Sequence, residues 1–252
     1  AWNRTLAKAQ RLTSHGVHVH ALAPDAVRQA NIVLTMLDDG AAVEQVLFDG
    51  EVAAAMARDS MVVDMSSIRP IEARDHAARL SELHIDYLDA PVSGGTIGAE
   101  AGTLAIMVGG KASVFDRALP FLQALGHPKH VGPTGAGQLA KLANQMIVGA
   151  TIGVVAEALL LCERGGANMA KVREAITGGF ADSRILQVHG QRMVDRDFVP
   201  RGRMSVQLKD LRNALATAQE IGFEAPITRL FEQLYADGVQ HGLADLDHAG
   251  LF

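Results

Sequence analysis

The chain has 252 residues, a formal net charge of −5, and is 48% hydrophobic and 20% charged. That composition is globular and large enough for one or two cores, and an acidic balance with no basic run excludes nucleic acid or an anionic membrane as the main partner. Cys162 is the sole cysteine, so no disulfide can close within the chain, and a reducing cytoplasm is the expected compartment.

No stretch reaches the ~18 consecutive apolar residues of a membrane span, and no signal peptide is visible. Ala1-Trp2-Asn3-Arg4-Thr5 reads as the end of a strand running into a helix over 6–14. Short apolar runs at 17–21, 32–36, 61–65, 85–90 and 104–109 read as strands. Amphipathic stretches at 41–48, 71–83 and 112–125 read as helices between them. This alternation predicts a parallel sheet with helices on both faces, a doubly wound Rossmann-type α/β domain over residues 1–134. From 135 to 252 the pattern becomes helical: 138–164 as one long central helix stopped by Gly165-Gly166, then 169–177, 185–195, 208–222 and 226–242. An all-α C-terminal domain is expected there. The glycine-rich G-x-G-x-x-G turn that cradles a dinucleotide pyrophosphate is not found near Ala1. The N-terminal strand that would carry it is missing too, and both are expected to precede Ala1 in the full-length protein.

Three segments carry chemistry. Asp89-Ala-Pro91-Val92-Ser93-Gly94-Gly95 ends a strand and then offers a hydroxyl and successive backbone amides, an arrangement that binds anions; an ordinary Ser-Gly-Gly loop reads the same way. Gly135-Ala-Gly137-Gln-Leu-Ala-Lys141-Leu-Ala-Asn144-Gln145 places one cation and two amides on one face of a glycine-opened helix. A lysine with its stem packed on the surface is the plain alternative to an acid/base. Lys209-Asp210 on a late helix reads by itself as a solvated pair. Ser66-Ser67 closes a strand at its carboxyl edge, where open α/β sheets bind ligands.

Taken in order, Trp2-Asn-Arg-Thr5, Thr35-Met-Leu37, Asp64-Met-Ser-Ser67, the Asp89–Gly95 and Gly135–Gln145 segments and Lys209-Asp-Leu211 resemble the β-hydroxyacid dehydrogenases. That family includes 3-hydroxyisobutyrate dehydrogenase, tartronate semialdehyde reductase and glyoxylate/succinic semialdehyde reductase. The resemblance implies an NAD(P)-dependent oxidoreductase that interconverts a small 3-hydroxy acid and its semialdehyde or oxo acid. It makes Lys141 the proton donor and acceptor for the substrate oxygen. It implies Ser93, Gly94 and Gly95 as the substrate carboxylate loop, and Asn144 or Gln145 as the amide at the same substrate. It makes Leu37, Ser67 and Lys209 cofactor contacts. Asn-Gln at 144–145 resembles tartronate semialdehyde reductase in particular.

Asn3-Arg4-Thr5 lies where NAD sites place a carboxylate for the ribose 2′-OH. A guanidinium without a carboxylate favours NADP over NAD. Many family members carry a phenylalanine where this chain has Gly202, which is expected to leave room for an acid of about three to five carbons or for Arg201 or Arg203; the plain alternative is a turn at Gly202 with both arginines solvated. A helical face of Ala150, Val154, Ala158 and Leu161 is expected to pack on a second copy in a homodimer or homotetramer. The alternatives are a non-catalytic binding module that keeps the fold, and an imine reductase, most of which replace the lysine present here as Lys141.

Overall fold

A computed structural model describes residues 1–252. In chain order the first part contains α1 (Leu6–Gln10), α2 (Ala23–Val27), β1 (Ile32–Thr35), α3 (Gly40–Glu44), α4 (Val52–Ala55), β2 (Met61–Asp64), α5 (Pro70–Glu82), β3 (Asp86–Asp89), β4 (Val92–Ser93), α6 (Gly95–Ala101), β5 (Leu104–Gly110), α7 (Ala112–Gln123) and β6 (Gly126–Gly132). Pleating sends successive side chains to opposite faces, and the central strands are apolar on both. Val62 joins a cluster with Val43, Leu47, Ala73 and Leu80 from α3, α5 and the turn after α3. Its neighbours Met61 and Val63 join a second cluster with Val114, Ala118 and Leu122 of α7. Tyr87 and Leu88 of β3 divide between the same two clusters. Helices therefore cover both faces, as a doubly wound sheet requires.

The strand order is β1-β2-β3-β5-β4, with β6 beside β5. The pairs β1–β2, β2–β3 and β5–β6 are parallel, but β5 runs antiparallel to β3 and to β4. The sheet is thus mixed rather than all parallel, because the short connection through α6 turns the chain straight back after β4. Residues 17–21 do not form the expected strand. Ala1 bonds His18 and His20, Val17 donates to the Leu12 carbonyl at 3.4 Å and the Ala21 carbonyl accepts from Trp2 Nε1 at 3.2 Å, scattered bonds that make no ladder.

The second part is helical: α8 (Ala136–Arg164), α9 (Met169–Ile176), α10 (Arg184–Asp195), α11 (Met204–Glu220) and α12 (Pro226–Gly238), with single turns at Val239–Leu243 and His248–Leu251. Asn168 and Ser183 cap α9 and α10 by accepting from Lys171 and Leu186 amides. The chain divides into two compact units, residues 1–141 and 142–252, so the division falls inside α8, just after Lys141. Length and composition would let α8 cross a membrane, which a search for unbroken apolar runs does not signal because Asn144, Gln145 and Glu157 interrupt it. In the helical unit it acts as a core helix, burying Ile152, Val155, Ala156 and Leu159. Gly153 lets the Phe231 ring of α12 lie directly on its backbone, in the space a Cβ would need.

Candidate active site

In the sheet unit the site begins at the end of β3. Asp89 is fully buried. Its Oδ1 accepts from the Gly135 amide at 2.8 Å and its Oδ2 from the Gln138 amide at 2.9 Å. These are amides of the opening of α8, which have no partner within the helix. A Cβ on Gly137 would lie 2.5 Å from the Asp89 carbonyl oxygen, and one on Gly109 would lie 2.7 Å from the Gly137 nitrogen. The glycines of the opening motif are therefore there to let the helix backbone sit on the ends of β3 and β5. Burial pushes the Asp89 carboxyl up to about 6, against the pull of the Gly135 and Gln138 amides, and the neighbouring Asp64 adds to the rise.

Gln138 is also buried. Its Nε2 donates to the Ser66 carbonyl at 2.8 Å and its Oε1 accepts from the Ile68 amide at 3.1 Å. Ser66 works in the other direction too, its Oγ accepting from the Leu37 amide at 2.9 Å. Asp64, at the end of β2, accepts from Thr35 Oγ1 at 2.8 Å and from Tyr87 Oη at 3.1 Å, and burial pushes its carboxyl upward. Adjacent strand ends are thereby fixed to one another and to the start of α8.

Beyond Asp89 the chain reaches Ser93, which is half-buried, and then Gly94 and Gly95, which are exposed. Gly94 has φ +136° and Gly95 φ +62°, backbone that other residues rarely adopt. Gly95 opens α6, and the amides of a first helical turn have no carbonyl partner within the helix. Lys141 is half-buried on α8. At the ends of β1 and β2, Leu37 and Ser67 are half-buried and Met36 is 60% exposed. An apolar surface thus lies beside a small hydroxyl residue at adjacent strand ends, the edge where open α/β sheets bind ligands. Asn3, Arg4 and Thr5 are exposed, with the Thr5 amide donating to Asn3 Oδ1 at 2.8 Å.

In the helical unit, Asn144 Nδ2 donates to Gln145 Oε1 at 2.8 Å. Gln145 Nε2 donates to Asp210 Oδ2 at 2.7 Å and to Gln207 Oε1 at 3.2 Å, while Gln207 Nε2 donates to the Gln145 carbonyl at 3.0 Å. The Lys209 ammonium lies 3.2 Å from Asp210 Oδ1. Asp210 is buried, so the Lys209-Asp210 pair is not the solvated surface pair its sequence suggests. Gln145 is committed to this network and buried, whereas Asn144 is only half-buried.

Position 202 lies in the turn at 201–203, beside Asp247 and His248. The Gly202 amide donates to Asp247 Oδ2 at 3.2 Å, and a Cβ there would meet the His248 imidazole at 3.3 Å. A side chain at 202 would therefore pack against His248, which must shift slightly to admit it. Arg201 and Arg203 are exposed and face Asp197 at 2.8 Å and Asp245 at 3.7 Å. Gln138 and Gln207 escaped the sequence reading. A glutamine among other polar residues on a helix gives no local signal of what it bonds.

Residues 1–145 match the family model of the NAD binding domain of 6-phosphogluconate dehydrogenase. Residues 135–252 match that of the NAD-binding domain of NADP-dependent 3-hydroxyisobutyrate dehydrogenase. The chain is similar to the 2-hydroxy-3-oxopropionate reductase of Escherichia coli K12, 43% identical over 96% of this chain and 84% of that protein. It is 36% identical to the 2-(hydroxymethyl)glutarate dehydrogenase of Eubacterium barkeri over 86% of this chain and 73% of that one. Among solved structures, the 3-hydroxyisobutyrate dehydrogenase of Mycobacterium tuberculosis with L-serine superposes with a TM-score of 0.90 at 32% identity, covering 99% of this chain and 88% of the other. These matches cover both units, and they show that the chain belongs to the β-hydroxyacid dehydrogenase family and is an NAD(P)-dependent oxidoreductase acting on the CH–OH group of hydroxy acids.

Proposed function

We propose that the protein interconverts a small 3-hydroxy acid and its semialdehyde, that 2-hydroxy-3-oxopropionate is the first compound to test, and that Lys141 is the acid/base. One observation carries this reading. Asp89 holds the start of α8 at the end of β3, and the same strand end leads into the Ser93–Gly95 loop. The lysine helix and the Ser93–Gly95 loop that opens α6 are therefore built on one anchor within residues 1–141. The 43% identity to the Escherichia coli reductase supports the choice of substrate.

The chemistry follows from the charges. The nicotinamide, when bound, supplies the hydride for reduction or takes it in oxidation. Ser93 Oγ and the amides after Gly94 bind the substrate carboxylate. The Lys141 ammonium stabilises the negative charge that develops on the aldehyde oxygen during reduction and passes it a proton; in the other direction the amine removes the hydroxyl proton. Asn144, whose Nδ2 is given to Gln145, has Oδ1 to accept from a substrate hydroxyl. Gln145 orients Asn144 rather than touching substrate. Leu37 and Ser67 hold the dinucleotide from the strand ends and Lys209 from α11. Asn3, Arg4 and Thr5 receive the ribose 2′-phosphate, which makes NADP preferred over NAD.

Lys141→Ala tests the core of the reading. Turnover of 2-hydroxy-3-oxopropionate with NADPH should fall by roughly the 10²–10⁴-fold typical of losing a general acid; turnover near wild type removes the lysine from the chemistry. Arg4→Ala should weaken NADPH binding and leave NADH binding nearly unchanged, and an equal loss for both contradicts the 2′-phosphate role.

The protein also acts as a homodimer or homotetramer in this reading. Ile147, Val154 and Leu161 of α8 are 68%, 57% and 73% exposed at seven-residue spacing, an apolar stripe suited to a second copy. Ala150 belongs instead to the helical core. Sedimentation of a strict monomer at micromolar concentration would rule the assembly out.

A further inference from the structure

We propose that Asp89 and Gln138 are positioning residues for Lys141: they clamp the first turn of α8 to two strand ends and so set where the lysine ammonium stands during turnover. The proposal rests on Lys141 being the acid/base. Two bonds run from the α8 amides of Gly135 and Gln138 to Asp89 at the end of β3. Two more run from the Gln138 side chain to Ser66 and Ile68, just past the end of β2. Lys141 follows Gln138 by three residues, one turn on and on the same face, roughly 4.5 Å along the axis.

Neither residue can take part in the chemistry directly. Both are fully buried and their side-chain atoms are already committed. Asp89 is an anion at neutral pH, with both oxygens given to amides. Its negative charge beside the positive end of α8 and its two bonds act on the same turn. Ser66 adds a second consequence, because its Oγ holds the Leu37 amide while its carbonyl holds Gln138. The Leu37 loop and the lysine helix thereby share one tether. A clamp of this kind fixes the distance between the reacting oxygen and the proton donor, and small misplacements there are expensive in rate.

A helix cap that served stability alone would lower the melting temperature and leave the turnover of the folded fraction unchanged. A clamp acting through Lys141 lowers kcat with little change in KM, and only while Lys141 is present. The test is a double-mutant cycle on the full-length protein with NADPH and 2-hydroxy-3-oxopropionate, comparing wild type, Asp89→Asn, Lys141→Ala and the pair. Asp89→Asn should cost roughly 10–100-fold in kcat, with KM within about threefold. In the Lys141→Ala background the same substitution should cost less than about twofold. If Asp89→Asn does not fold, Gln138→Met replaces it, since it leaves both Asp89 bonds intact and removes only the two ties to Ser66 and Ile68. A folded variant with wild-type kcat overturns the proposal, as does an equal loss in both backgrounds. Full turnover in Lys141→Ala alone is a separate result, which removes the lysine reading itself.

Discussion

Asp89 in the sheet unit and Asp247 in the helical unit are both fully buried, yet their charges are held by different means. Asp89 receives two backbone amides and forms no ion pair, and its carboxyl is pushed up to about 6, chiefly by burial. Asp247 receives the amides of Ala249, Arg201 and Gly202 at 3.1, 3.1 and 3.2 Å, and Arg192 Nη1 reaches both of its oxygens at 3.0 and 3.1 Å. Burial pushes Asp247 up as well, but His189, His248 and the amides outweigh it and hold the carboxyl below the usual carboxylate range. Backbone dipoles alone do not offset the loss of water around a carboxylate, whereas dipoles joined by cations do. With both oxygens on a guanidinium, the His189–Asp247–His248 cluster is also a poor cation site, although its ligand atoms lie within 4.8 Å of one another.

The comparison can be broken by substitution. Asp247→Ala should destabilise the protein by about 3–5 kcal/mol in chemical denaturation, because it leaves Arg192 and three loop amides without their acceptor. A loss below about 1 kcal/mol would mean that the ion pair is not holding these segments.

The pH dependence of stability should carry opposite signs at the two sites. Asp89 binds its proton more tightly in the folded state, at about 6 against the ordinary 3.8 of an aspartate in water. The folded state is therefore favoured below about pH 4, and stability falls as pH rises through the window from about 4 to about 6, by up to ~3 kcal/mol. Asp64 faces Asp89 from β2 and is shifted in the same direction, and buried Tyr87 stays neutral throughout this range. Asp247, shifted down, contributes stability above the unfolded pKa near 4 that is lost as pH falls. Between about pH 4 and about 6 the fall in stability should become shallower in Asp89→Asn, where Asp64 alone still contributes, and stay as steep in Asp247→Asn. An unchanged slope in Asp89→Asn would show that burial is not what lifts this group.

Gly153→Ala should cost about 1–3 kcal/mol, since the added methyl must displace the Phe231 ring. A neutral result would show that α12 can back away. The smallest effect should be Arg196→Ala. Its pair with Glu163 at 2.8 Å is about half exposed at each partner, so thermal unfolding should register less than about 1 kcal/mol. A loss as large as that of Asp247→Ala would remove the distinction between buried and exposed pairs.

Several residues show where the sequence was readable. β2 and β3 announce themselves by apolar residues in short runs, and α5, α7 and α10 by helical periodicity. β6 does not, because Gly-His-Pro-Lys-His-Val-Gly has no apolar alternation and is a strand only because β5 offers it a parallel partner. α6 reads as a loop because Gly95 and Gly98 fall inside its seven residues. In the candidate site, Lys141 and Ser93 to Gly95 stood out because a cation on an apolar helix and three small residues after a strand are local anomalies. The clamp did not stand out, since Asp89 meets α8 across 46 residues and Gln138 meets Ile68 across 70.

The sequence by itself determined the change from strand–helix alternation to helices near residue 135, the family, and the residues that bear charge or anion-binding amides, because these are written in local pattern and composition. Only the tertiary structure decided the antiparallel course of β5, the approach of His248 to Gly202, and the difference between Asp89 and Asp247. Each of these depends on which distant backbone or cation arrives beside a group once water has been excluded, and no local pattern encodes that encounter.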